Sequence, residues 1–165
     1  KIRQPCANAM PTGSCSSTAA SCGRLAGDTA FQTEVQGIWK GLATAAPPMD
    51  EAAAEGVRQA ILAEVAGQVR TFRERGGRVV FLRLPSTGHL RELEARALPR
   101  QRYWDALLAA TGAPGIHFED HPELAGFDCP EWSHLSAGDA ARYTRAMLPH
   151  LEPMLGGGPA LRSAP

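Results

Sequence analysis

The segment Pro130-Glu131-Trp132-Ser133-His134-Leu135-Ser136 places a carboxylate three residues before a histidine. A carboxylate bonded to one ring nitrogen holds an imidazole in a single tautomer and leaves the other nitrogen to move a proton, which is one half of hydrolytic machinery. Glu131 is the nearer acid. Asp128, six residues before His134, is the alternative acid. The structural reading of His134 is a ring that only bonds the start of the helix after it. Trp132, beside the histidine, could wall a substrate pocket, although a large aromatic at such a place more commonly packs.

His117, Glu119 and His121 form a second group of chemistry-bearing side chains. They alternate, so a strand would project them to one side, where with His134 they could approach an ion of the zinc class. They interleave with Ile116 and Phe118, and His121 precedes Pro122. A solvated or capped edge is therefore preferred, and neither metal nor cofactor is expected. The run Arg91-Glu92-Leu93-Glu94-Ala95-Arg96 reads as a solvated helix face with local ion pairs. Cys6, Cys15, Cys22 and Cys129 match no zinc spacing, and three cysteines near the start cannot pair evenly. Cysteine usage leaves the compartment undecided, a bacterial extracytoplasmic setting being among those allowed.

These residues need elements to position them. Asp28 can cap a helix carrying Phe31, Val35, Ile38 and Leu42 at helical spacing. Asp50 can cap a second, whose apolar face is Ala54, Val57, Ile61, Val65, Val69 and Phe72, with Gly76-Gly77 as its left-handed stop. Arg78–Leu84 is a short apolar run that fits a strand buried on both faces of a parallel sheet. Pro85-Ser86-Thr87-Gly88 is then a loop at that strand's C-terminal end. A helical stretch runs from about His89, is interrupted at Pro99 and stops at Gly112. Gly115–Asp120 is a second strand. Ser136, with Asp139 three residues on, caps a last helix bearing Ala140, Tyr143, Met147 and Leu151, which Pro149 kinks or ends.

Strands alternating with helices predict an α/β fold with parallel pairing, and ligands in such sheets bind beyond the strands' C-terminal ends. Pro85–Gly88 and Asp120–His134 both fall there. Only two strands are readable, and a two-stranded parallel sheet leaves both outer edges unpaired. Three completions are open: strands within residues 1–27, a second chain, or a larger domain of which this chain is part. The last is favoured, and the start at Lys1 rather than Met agrees with it. Residues 1–27 read as irregular, 28–155 as the α/β domain and 156–165 as a loose tail.

Seventeen Lys and Arg balance seventeen Asp and Glu over 165 residues, so no basic footprint points to nucleic acid. No run of about eighteen apolar residues predicts a membrane span.

The strings Arg78–Pro85, Tyr103-Trp104-Asp105, Ile116–Asp120 and Trp132–Ser136, in this order, resemble the C-terminal half of the SGNH (GDSL-type) hydrolase superfamily. The resemblance covers roughly residues 50 to 152. It implies a partial three-layer α/β/α sandwich of flavodoxin-like type. It also implies hydrolysis or transfer of acyl groups through a serine, on a small-molecule or glycan ester. His134 matches the base, and Glu131 stands where the family usually has Asp. Ser86, just after the first strand on the ligand side of the sheet, could donate a hydrogen bond to a ligand or, less favoured, serve as nucleophile, with Thr87 and Trp132 beside it. The family's Gly-Asp-Ser block is missing: the nearest string is Gly27-Asp28-Thr29, and no apolar strand precedes it. Ser14, Ser16, Ser17 and Ser21 lie outside any strand-turn-helix context. The family's Gly-x-Asn-Asp block is missing too, Asn8 being the only asparagine. Two function classes follow. One is a hydrolase or acyltransferase half whose nucleophile comes from elsewhere, in a missing N-terminal half or a homo-oligomer that completes the sheet. The other is a non-catalytic α/β remnant or binding module.

Overall fold

The computed structural model describes residues 27–45 and 50–156. The expectations for residues 1–26 and 157–165, including Cys6, Cys15 and Cys22, lie outside them. The described chain is mixed α/β and mostly helical, with one parallel pair of strands. In order come α1 (Thr29–Ala45), α2 (Glu51–Glu74), β1 (Phe81–Arg83) and α3 (Gly88–Ala97). A π-helical turn (Gln101–Asp105) runs into α4 (Ala106–Thr111). Then follow β2 (Gly115–His117), a 3-10 turn (Phe118–Asp120), α5 (Pro122–Ala125) and α6 (Ala137–Met154).

Local chemistry sets most boundaries. The Asp28 carboxylate accepts from Phe31 N at 3.0 Å, Asp50 from Ala53 N at 3.2 Å, and the Ser136 hydroxyl from Asp139 N at 3.1 Å, so all three expected caps form. Gly76 and Gly112 take the left-handed φ that ends α2 and α4. Pro149 does not end α6, which continues to Met154. It lacks only one amide hydrogen, and Tyr143 and Met147 before it are anchored in the core.

Both strands are shorter than their apolar runs. β2 begins after Pro114, whose nitrogen cannot join a ladder but whose carbonyl accepts from Phe81 N at 2.9 Å. It ends at His117, where the ring Nδ1 accepts the Glu119 amide at 3.2 Å and turns the backbone into a 3-10 geometry. That turn also dissolves the expected alternation of His117, Glu119 and His121. In register, Phe81, Leu82 and Arg83 sit beside Gly115, Ile116 and His117.

The core is one-sided. Ile116, Phe118 and Leu124 pack with Tyr143 and Met147 of α6, and Phe127, Leu135 and Leu151 close around them. The expected two-sided burial of the first strand fails: Leu82 and Leu84 remain 40% and 50% exposed, because nothing among the described residues covers that side. The long apolar face of α2 is likewise mostly open. Val69 is buried where α4 packs, whereas Val57, Ile61 and Phe72 are about half exposed.

Candidate active site around Glu131 and His134

The loop before α6 is held from two directions. From the β1 end, the Thr87 hydroxyl donates to the Cys129 carbonyl at 3.0 Å and accepts from Cys129 N at 3.2 Å. Thr87 N also donates to the Trp132 carbonyl at 3.0 Å, and the Cys129 thiol leans on the Pro85 carbonyl at 3.5 Å. From α1, Gln36 Nε2 donates to the Pro130 carbonyl at 3.1 Å, and Trp39 Nε1 to Glu131 Oε2 at 3.4 Å. Between these clamps Trp132 N donates to the Cys129 carbonyl at 2.8 Å, closing a tight turn. Trp132 itself sits at φ 79°, a left-handed conformation that costs a non-glycine residue about 1–2 kcal/mol. Its indole lies over Gly88, where a Cβ would meet Nε1 at 2.5 Å, so this approach requires glycine. Lys40 Nζ lies 5.3 Å from the Trp132 ring, and His89 meets it edge-on at 5.9 Å.

This scaffold buries Glu131 completely and presents His134. The Glu131 side chain is 0% exposed and that of His134 68% exposed. Glu131 Oε1 lies 2.8 Å from His134 Nδ1, and Oε2 accepts the Ser133 hydroxyl at 2.6 Å. Burial opposes ionisation of Glu131, but hydrogen bonds from Ser133, His134 and Trp39 outweigh it and hold the carboxyl below its usual range. An ionised carboxylate facing Nδ1 requires the proton on Nδ1. The Ser133 oxygen, 2.7 Å from the same nitrogen, then receives a share of that proton while donating its own to Glu131. Neutral His134 therefore carries its lone pair on Nε2, which makes no hydrogen bond among the described residues. The arrangement is a proton acceptor oriented by a buried acid.

Of the expected site residues, Glu131, His134, Thr87 and Trp132 come together. Thr87 does so as a backbone clamp, its hydroxyl being engaged with Cys129. Asp128 is exposed and makes no bond to His134. Ser86 is buried and points elsewhere, donating to Glu94 Oε2 at 2.5 Å beside Arg83. This corrects the reading of Glu94 as part of a solvated face: it turns inward to join an Arg83–Ser86 network. The Asp120 carboxylate is forked onto Arg100 at 2.6 and 2.8 Å. His117 does not approach His134. It is packed between Trp104 and Phe118, and burial, with Arg100 nearby, pushes its pKa down. Cys129 is buried, and burial with the neighbouring Asp128 and Glu131 charges raises its thiol to about 11, so it stays protonated.

Gln36, Trp39 and Ser133 are the contributors that sequence reasoning missed. Gln36 and Trp39 lie three apart on α1 and so share a face. That spacing was the only available signal, and it carries no information on which loop the face meets. No family model, no curated protein and no solved structure matches this chain.

Proposed function

We propose that this chain carries the acid–base half of a serine-type ester hydrolase or acyltransferase site of the SGNH kind, with His134 as base and Glu131 as the residue that positions it. The observation that carries the reading is the fully buried Glu131 carboxylate 2.8 Å from Nδ1 of an exposed imidazole. A packing histidine has no need of a buried, ionised, triply hydrogen-bonded acid. A base does, because that acid fixes the tautomer and stabilises the imidazolium formed when Nε2 takes a proton. The site lies where the loop leaving β1 meets the loop before α6, beyond the C-terminal ends of the parallel strands, as ligand sites in α/β sheets do.

The nucleophile would be a serine brought against Nε2 by a segment outside the described residues. The same segment would complete the sheet, turning two strands and one covered face into a three-layer α/β/α sandwich. The strand edges left unpaired among the described residues, and the open side at Leu82 and Leu84, support that completion. The substrate class is a small-molecule or glycan ester.

The test is labelling by a fluorophosphonate probe of the protein expressed from its whole reading frame. One serine is expected to react, and His134→Ala to slow it by about 10²–10⁴-fold, the usual worth of a general base. Labelling at an unchanged rate in H134A, or no labelled serine at all, would leave the non-catalytic binding module as the reading.

A further inference from the structure

A second cluster lies away from His134, at the junction of α5 and the end of α6. His121, Glu123 and His150 each offer one ligand atom, and these atoms all lie within 4.8 Å of one another. His150 Nε2 is 2.5 Å from Glu123 Oε1, and the His121 and His150 rings approach to 3.9 Å between centroids at a 37° tilt.

We infer that His121, Glu123 and His150 form a site for a divalent transition-metal ion of the zinc class, with solvent as the remaining ligand. Two imidazoles and one carboxylate are a donor set that suits zinc, and three protein ligands leave a fourth position open. The local backbone is built to hold them. Pro122 separates His121 from Glu123 as the first residue of α5, and Leu124, 0% exposed, pins that turn into the core. His150 is carried on α6 three residues after Met147, which is buried in the same core. Both arms are thus anchored by one packed unit, and only side-chain torsions need adjust.

The internal bonding of the cluster also points to a cation. The Glu123 carboxylate is bonded by its own backbone amide and by the His150 ring. His121 lies tilted against His150 and its ring nitrogens make no hydrogen bond among the described residues. A simple ion pair would need only Glu123 and His150 and gives no reason for a second imidazole closely overlapping the first. Tetrahedral ligands about 2.0–2.1 Å from zinc stand roughly 3.4 Å apart. The ion would open the Glu123–His150 contact and draw His121 in, converting a ring that only leans on its neighbour into a ligand. It would tie the turn after β2 to the end of α6.

The whole chain, freed of metal with a chelator, is to be titrated with cobalt(II) and zinc(II). One equivalent is expected to bind, with visible cobalt bands of a four- or five-coordinate nitrogen–oxygen site and no thiolate charge-transfer band. Zinc should raise Tm by several degrees. His121→Ala and His150→Ala should each remove the cobalt bands and the Tm rise, and Glu123→Gln should weaken binding by about 10- to 100-fold. His134→Ala should bind as the parent does, so the outcome is independent of the proposed catalytic role. Circular dichroism of each variant shows that it is folded. Absence of saturable binding by the folded parent, a cobalt spectrum carrying thiolate bands, or unchanged binding in the folded H121A/H150A double variant would overturn the site.

Discussion

Two histidine–carboxylate pairs in this molecule use the same groups at similar separations, 2.8 Å for His134–Glu131 and 2.5 Å for His150–Glu123. Their burial is opposite. In the first the acid is hidden and the imidazole 68% exposed; in the second the acid is 49% exposed and the imidazole 26%. A hidden acid can serve only the group it faces. Glu131 therefore bonds inward, to His134, Ser133 and Trp39, and the imidazole is what the surroundings meet. An exposed acid beside two partly covered imidazoles offers its own oxygen outward as well, which is the disposition of a ligand set. The difference comes from where the chain clamps each loop. Thr87, Gln36 and Trp39 close over the loop of Glu131, whereas the turn of Glu123 is anchored by the buried Leu124 beneath it and leaves the carboxylate uncovered.

The largest expected separation between the pairs is catalytic. In the protein from the whole reading frame, H134A should lose about 10²–10⁴-fold in serine labelling and ester turnover, and H150A less than about twofold. Equal losses would erase the distinction drawn here. Stability should separate them next. Glu131→Ala strands the Ser133 hydroxyl and the Trp39 indole beside a void, and should cost about 2–4 kcal/mol in urea unfolding. Glu123→Ala, at an exposed position, should leave the urea midpoint essentially unchanged.

The clamp itself can be tested at Gly88. Gly88→Ala puts a Cβ into the Trp132 indole at a left-handed φ of 55°, and about 1–2 kcal/mol of stability should be lost with a shift in tryptophan emission. Unchanged emission and stability would mean that Trp132 is not seated on Gly88. The smallest effect is the acid dependence. The folded pKa of Glu131 lies below its ordinary 4.5, so its contribution is complete above about 4.5 and is lost as pH falls through the lowered folded value. His117, lowered from 6.5, adds a loss in the same direction as pH falls below about 6.5. Unfolding curves across these windows should show Glu131→Gln flattening only the more acidic part.

Much of this is legible in the sequence. The caps at Asp28, Asp50 and Ser136 were readable because each is a contact between a side chain and an amide three residues on. The Glu131–His134 pair was readable for the same reason of short span. Strand length was not, since it depends on which amides a partner strand presents, and β2 presents few. Nor was the exposure of Val57, Ile61 and Leu82, because an apolar run states a preference for burial and not the presence of something to bury against. The alternation of His117, Glu119 and His121, for which a solvated edge is the preferred reading, is broken where His117 Nδ1 accepts the Glu119 amide, and His121 instead meets His150 of α6.

The sequence by itself determined the capped long helices, the parallel α/β order and the adjacency of Glu131 and His134, all set by forces acting within a few residues. Tertiary structure alone decided what those residues mean. It buried Glu131 under Trp39 and Gln36 from the far end of the chain, turned Ser86 and Glu94 away from the site, and brought His121 against His150. Each of these depends on contacts between segments distant in sequence, whose pairing is chosen by the packing of the whole core and not by any local pattern.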